Sequence, residues 1–237
     1  MGLLRDIRAW LFRWERDEQG RRRPGTWSQS YSGSMCWPLD PLPEEIHFDD
    51  ICAGLRELRY RAQTREPYTV LEHSVLVSCE AEKLARERGY SEEVAKACAR
   101  YGLLHDASEA YIGDVTRPLK RQRVMRGYCK LERKWDKAIR SRFNIFDCNI
   151  YETMLAMVLV HEADTRITLD EIEALMVDPN MWDRMGRYVD VKPLGVEIPG
   201  WTWKQATSAF CQRFSELWTD WPEVTFAKDY ARKFYVV

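Results

Sequence analysis

The chain has 237 residues and a formal net charge of −1, with an isoelectric point of about 6.5. This length suffices for one sizeable domain with its own core. The nearly balanced charge argues against a protein that coats nucleic acid or a membrane surface, and no stretch reaches the roughly 18 uninterrupted apolar residues of a membrane span. We therefore expect neither a membrane partner nor stable nucleic-acid binding.

The first elements predicted along the chain are a helix and an arm. Apolar side chains recur every three to four residues over 3–18 with charged residues between them, which predicts an amphipathic helix. Residues 19–45 are rich in proline, glycine and aromatic side chains and predict an irregular but ordered arm. We take 1–30 as the amphipathic helix and basic arm, 31–218 as the main domain and 219–237 as a C-terminal extension.

From Phe48 onward the pattern predicts helices. Asp49 or Asp50 can cap a first helix that runs through Leu58. Further helices are predicted from Val70 to about Arg88, from Ser91 to near the His-Asp pair at 105–106, and over about 125–143, 149–177 and 203–218. Strand-like alternation is scarce, so the expected fold class is all-α.

The seven cysteines are scattered and form no CxxC pair. An odd number of thiols without such pairing is typical of a reducing compartment, and no secretory leader is recognisable. The composition therefore predicts a cytoplasmic protein.

A His-Asp doublet near the middle of the chain is the strongest chemical signal. The chain has only four histidines, so His105-Asp106 is not background composition. In a continuous helix Glu109 would share a face with His105, because residues four apart are neighbours. His73 lies in an apolar helix of its own, and Asp164 lies in the long helix near 149–177. Two imidazoles and two carboxylates can hold a divalent transition metal and leave positions open for water and a phosphate oxygen.

The order His, His-Asp, Asp on separate helices resembles the HD-domain metal-dependent phosphohydrolases. Three segments are similar to the nucleotidase branch of that family: YTVLEHSVLVS (68–78), GLLHDASEAYIGDVTRPLKR (102–121) and EADTRI (162–167). This branch contains bacterial 5'-deoxynucleotidases and phage deoxynucleotide triphosphohydrolases. The resemblance covers about residues 31–215 and implies an HD-domain helical bundle, with an irregular N-terminal arm, that acts on nucleotides.

The resemblance also implies roles for individual residues. The family's metal ligands fall on four positions: His73, His105, Asp106 and Asp164. Its catalytic acids fall on Glu109 and Asp114, and its substrate-binding residues fall on Arg59, Tyr60 and Lys120. The implied cofactor is one divalent metal (Co, Mn, Fe or Zn, with Mg as a further alternative), and we expect a homo-oligomer.

Three functions stay open at this point. The Arg59-Tyr60 pair and the Glu109/Asp114 spacing favour a 5'-deoxynucleotidase that releases phosphate from deoxynucleoside monophosphates. The basic cluster of Arg117, Lys120, Arg121 and Arg123 favours the alternative, a triphosphohydrolase that releases triphosphate from dNTPs. A non-catalytic nucleotide sensor is the alternative of another class, against which the presence of both acids argues.

Overall fold

A computed structural model describes residues 13–183 and 190–221 of the chain. These residues form two compact units, each of which is described by itself. The first contains the described residues through Gly54 together with Ala107–Phe143, and the second contains Leu55–Asp106 and the described residues from Asn144 onward. The domain bounds at residues 30 and 218 stay a prediction.

The described part is mostly helical, with four short strands. The strands are β1 (Trp14–Arg16), β2 (Arg22–Pro24), β3 (Ser28–Gln29) and β4 (Met35–Cys36). The helices are α1 (Phe48–Gly54), α2 (Val70–Glu87), α3 (Glu92–Leu104), α4 (Glu109–Ile112), α5 (Arg117–Lys120), α6 (Arg126–Arg142), α7 (Ile150–Leu175), α8 (Asn180–Asp183) and α9 (Trp203–Leu217). Short 3-10 helices occupy Pro43–Glu45, Arg59–Ala62 and Arg123–Met125. None of the described helices combines the length and apolar character that a membrane crossing requires.

The N-terminal arm corrects the all-α expectation. Strand β1 pairs antiparallel with β2, and β3 pairs antiparallel with β4, so the arm contains two small sheets. Gly20 and Gly33 lie at the two hairpin turns with positive φ angles, which glycine adopts without a steric penalty. The helix predicted over 3–18 is therefore wrong for Trp14–Arg16, and residues 3–12 lie outside the described part.

A buried arginine holds the arm of the first unit together. Arg23 is 3% exposed, and its Nε donates to Asp40 Oδ2 at 2.5 Å. Its Nη1 lies 2.7 Å from Glu45 Oε1 and 3.4 Å from Asp17 Oδ2. The guanidinium also lies over the buried ring of Trp37. We call Arg23, Asp17, Asp40 and Glu45 the Arg23 cluster.

Helix α1 of the first unit is shorter than predicted. It ends at Gly54 rather than at Leu58, and its C-terminal end lies against α4. A Cβ atom at Gly54 would lie 2.5 Å from Ala110 Cα, so this close approach requires glycine. In the same unit the ring of Tyr111 stacks on Trp135 of α6, with 4.2 Å between ring centroids.

Helices α2, α3, α7 and α9 form the core of the second unit, and their predicted extents are confirmed to within a few residues. Each starts where a polar side chain accepts a hydrogen bond from the first turn, as expected for N-caps. The caps are Thr69, Ser91, Asn149 and Thr202. The caps and the apolar faces together fix where each helix begins and which side it buries.

Gly102 brings α2 and α3 close together. A Cβ atom at this position would lie 2.9 Å from Ser78 Cα and 3.1 Å from Val77 O. Ser78 Oγ donates to Ala99 O at 2.7 Å across the same contact. The C-terminal end of α3 therefore lies beside the N-terminal half of α2, and this places His105 near His73.

Candidate metal centre

Three potential metal ligands converge in the second unit, and we call His73, His105 and Asp106 the His/Asp group. The side chain of His73 projects from α2, and His105 and Asp106 follow the last residue of α3. The two Nε2 atoms lie 3.4 Å apart. Asp106 Oδ2 lies 3.2 Å from His105 Nε2 and 3.6 Å from His73 Nε2. This group can hold a metal ion.

The spacing of these atoms fits the coordination of one metal. Ligand atoms about 2.1 Å from a common ion lie about 3.0 Å apart at octahedral angles and about 3.4 Å apart at tetrahedral angles. The distances in the His/Asp group, 3.2 to 3.6 Å, are close to this range. The group also follows the C-terminus of α3, where the helix dipole favours positive charge.

The outer nitrogens of both histidines fix their tautomers. His105 Nδ1 lies 2.8 Å from the carbonyl oxygen of Gly102, which can only accept, so this nitrogen is the donor. His73 Nδ1 donates in the same way to Glu171 Oε1 at 2.6 Å. In their neutral forms both rings therefore direct the lone pair of Nε2 into the group, which is the tautomer that binds metal.

The electrostatics of the group favour a cation. Burial alone would lower the pKa of His105, but the carboxylate of Asp106 outweighs it and raises that pKa to about 8. Burial would raise the pKa of Asp106, whereas His105, His73 and Arg59 hold it well below its usual range. Positive charge beside an ionised Asp106 is thus the stable arrangement, and a divalent cation meets that condition.

Asp164 lies close to the same group, as the sequence predicted. It projects from α7, and its Oδ1 lies 3.3 Å from His73 Nε2. Its backbone oxygen accepts from Thr168 Oγ1 at 2.8 Å, one turn further along the helix. The structure brings Asp164 to the His/Asp group, and its role as the fourth ligand stays a prediction.

Glu171 is the residue that the sequence analysis missed. It lies seven residues after Asp164, on the same face of α7, and is fully buried. Besides His73, it accepts hydrogen bonds from the hydroxyls of Tyr60 and Tyr68. Burial would raise the pKa of Glu171, but Arg59 and His73 lower it to about 2. The sequence signal that could have identified Glu171 is its spacing of two helical turns from Asp164.

Arg59, predicted to bind phosphate, lies between two carboxylates. Its Nη1 is 3.1 Å from Asp106 Oδ2, and its Nη2 is 3.4 Å from Glu171 Oε2. The guanidinium also lies 5.4 Å from the ring centroid of Tyr60. With both imidazoles neutral, the three carboxylates (Asp106, Asp164 and Glu171) and the one guanidinium carry a formal charge of −2, which a divalent ion can neutralise.

The remaining predicted site residues, Glu109, Asp114 and Lys120, belong to the first unit. Because α3 ends at Leu104 and α4 begins at Glu109, the continuous helix that would put Glu109 on the face of His105 is absent there. Glu109 is buried, and its Oε1 lies 3.5 Å from Lys120 Nζ. Lys120 lies closer to Glu132, at 2.6 Å, and Asp114 follows the positive-φ residue Gly113.

No protein-family model matches the chain. An uncharacterized protein of Rhodobacter capsulatus is 35% identical over 122 residues, which cover 50% of this chain and 59% of that protein. The uncharacterized protein YfdR of Escherichia coli K12 is 30% identical over 118 residues, covering 49% of this chain and 58% of YfdR. The matched segment thus spans less than two thirds of either relative, and neither name states an activity.

Proposed function

We propose that the protein is a metal-dependent phosphohydrolase of the HD-domain type, and specifically a 5'-deoxynucleotidase that releases phosphate from deoxynucleoside monophosphates. The observation that carries the proposal is the convergence of two imidazole Nε2 atoms and a carboxylate oxygen within 3.6 Å. Both outer nitrogens are already engaged as donors. The resemblance of the surrounding segments to HD-domain nucleotidases supplies the reaction class.

The residues of the second unit would hold the ion and the phosphate. The His/Asp group, with Asp164, supplies ligands, and a bound divalent ion supplies Lewis-acid polarisation of a phosphoryl oxygen and makes water more acidic. Arg59 already has its two terminal nitrogens directed at carboxylates, so a phosphate that replaces Asp106 as its partner would meet Nη1 held in place while Nη2 stays on Glu171.

The proton-transfer roles rest on the resemblance. We assign to Glu109 the acceptance of a proton from the attacking water and to Asp114 the positioning of that water or of a sugar hydroxyl. The burial of Glu109, and the ammonium of Lys120 at 3.5 Å from its carboxylate, are compatible with a functional acid. Lys120 would offset negative charge on the phosphate.

One observation favours a dNTP triphosphohydrolase as a second candidate. Arg121 and Arg123 are exposed beside α5, whose Lys120 and Arg117 are half-buried, so four cations lie within seven residues. A triphosphate carries more charge than a monophosphate and would profit more from such a cluster.

Product identity tests the proposal. The purified protein is incubated with a panel of nucleoside mono-, di- and triphosphates, in deoxy and ribo forms, with Co²⁺, Mn²⁺, Fe²⁺, Zn²⁺ or Mg²⁺. We expect inorganic phosphate from deoxynucleoside monophosphates, and no product after treatment with a chelator. Release of triphosphate would identify the second candidate. Binding of nucleotide without turnover under any metal would instead identify a sensor.

A further inference from the structure

Glu171 joins parts of the second unit that are far apart in the sequence. The carboxylate is 0% exposed and accepts from His73 Nδ1 at 2.6 Å and from Tyr68 Oη at 2.9 Å. The hydroxyl of Tyr60 also donates to it, and Arg59 Nη2 lies 3.4 Å away. A carboxylate oxygen can accept about two hydrogen bonds, so these four groups fill the capacity of Glu171.

One group that Glu171 holds is a histidine with its tautomer set. The hydrogen bond from His73 Nδ1 leaves Nε2 as the lone-pair atom directed at His105 and Asp106. A carboxylate behind a metal-binding imidazole also makes the ring a better donor to the ion. The position of Glu171 therefore matters to the affinity of the His/Asp group although Glu171 is not part of it.

Glu171 also contacts a strained turn of the backbone. Tyr60, Arg61 and Ala62 have φ angles of 54°, 56° and 58°, a left-handed turn made without glycine. This conformation is unfavourable for every residue other than glycine, so a turn of this kind persists only where its surroundings over-determine it. The contacts of Arg59 and Tyr60 with Glu171 attach the beginning of this turn to α7.

We propose that Glu171 is a positioning residue that orients His73 for metal binding and holds Arg59 for the phosphate. One carboxylate thereby couples the orientation of His73 to that of Arg59. A change at Glu171 should disturb both orientations together. The inference rests on the metal site of the proposed function but does not depend on which phosphate bond is broken.

The test compares Glu171→Gln with Glu173→Gln. Glutamine keeps the shape of residue 171 but removes the charge and replaces one acceptor oxygen by a donor, which leaves at least one of its partners unsatisfied. Glu173 lies two residues further on, is exposed, and serves as the matched control. The affinity for Co²⁺ is measured by competition with a chelating dye. We expect it to fall by about 10- to 100-fold in Glu171→Gln and to stay unchanged in Glu173→Gln.

A second measurement needs no variant. Two-bond ¹H–¹⁵N NMR spectra of ¹⁵N-labelled histidines report which ring nitrogen of His73 carries the proton. They are recorded for the metal-free and for the Zn²⁺-loaded wild-type protein. We expect Nδ1 to be protonated and Nε2 to bind Zn²⁺. The opposite tautomer would overturn the role of Glu171, and so would equal Co²⁺ affinities of the two variants. If the wild-type protein binds neither ion, the proposed function fails together with this inference.

Discussion

Two buried polar clusters of the molecule differ in whether they contain their own cation. In the Arg23 cluster one guanidinium meets carboxylates of Asp17, Asp40 and Glu45, so the buried charges are already paired. In the His/Asp group, the histidines donate their Nδ1 protons outward and turn acceptor atoms toward Asp106. The first cluster is complete as an ionic network, whereas the second directs acceptor atoms at a position that could hold a metal ion.

The two clusters show how a buried charge that holds a fold differs from one that is suited to a ligand. Both clusters contain buried or partly buried carboxylates, so burial alone does not distinguish them. The balance of donors and acceptors does. Arg23 supplies donors to every carboxylate around it, but the inner atoms of the His/Asp group are all acceptors when the imidazoles are neutral. The comparison predicts that mutations in the two clusters affect different measurable properties.

The largest expected effect on stability is that of Arg23→Gln. Removing Arg23 takes the guanidinium away from Asp40, and Asp17 and Glu45 keep only their ion pairs with Arg21. Breaking a buried pair typically costs 3–5 kcal/mol. Because Asp40 and Glu45 are partly exposed and Arg21 stays paired with Asp17 and Glu45, we expect no more than the lower end, about 3 kcal/mol, in denaturant unfolding. Arg22→Gln, at the exposed neighbour, should change stability by less than about 0.5 kcal/mol. A loss of metal affinity in Arg23→Gln would erase the distinction between the clusters.

Glu109→Ala separates chemistry from metal binding. If Glu109 accepts the proton of the attacking water, kcat should fall by at least about a hundredfold, the lower end for a general base. The metal content should stay that of the wild-type protein because Glu109 is not among the His/Asp group. Steady-state kinetics with the best nucleotide of the panel and elemental analysis of the same sample check both halves. Unchanged turnover would make Glu109 a structural acid.

Metal should stabilise the second unit through the His/Asp group. At a free Co²⁺ concentration about 100 times its dissociation constant, linkage predicts a gain of about 2.7 kcal/mol. For a chain of this size that corresponds to a rise in Tm of about 5–10 °C, measured by circular dichroism. Arg23→Gln should gain as much as the wild-type protein, and His105→Ala should gain nothing. A rise that survives in His105→Ala would point to metal bound elsewhere.

Arg59→Ala should have the smallest effect of the series. A charge-assisted hydrogen bond contributes about 1.5–3 kcal/mol, so kcat/KM should fall by at least about tenfold. Arg59→Lys should lie between this variant and the wild-type protein, since an ammonium cannot reproduce the planar fork. The exposed Arg61 is the neighbouring control, and Arg61→Ala should behave like the wild-type protein. Equal losses at both positions would mean that a diffuse basic surface attracts the substrate.

The helices and the candidate metal ligands could be predicted from the sequence because both leave local signals. Polar caps such as Ser91 and Asn149 mark helix starts, and the His-Asp doublet stands at the end of an apolar helical pattern. The structure then placed His73, His105 and Asp106 together, as their order suggested.

The rest depended on contacts that sequence patterns do not encode. Strands β1 and β2 are three residues long, too short for alternation to reveal, and their pairing depends on the turn at Gly20. Glu171 has the sequence appearance of an ordinary acid on a long helix, since its role depends on a histidine and two tyrosines a hundred residues earlier. The end of α3 at Leu104, beside the His-Asp doublet, agrees with the sequence pattern, whereas the separate short helix α4 is not predicted by it.

The metal content of site variants decides whether His105 and Asp106 bind an ion. The wild-type protein, His105→Ala, Asp106→Ala and the exposed-histidine control His161→Ala are loaded with Co²⁺, desalted and analysed by elemental mass spectrometry, with folding checked by circular dichroism. We expect about one ion per chain in the wild-type protein and in His161→Ala, and little or none in the two folded site variants. Full occupancy in both His105→Ala and Asp106→Ala would contradict this expectation.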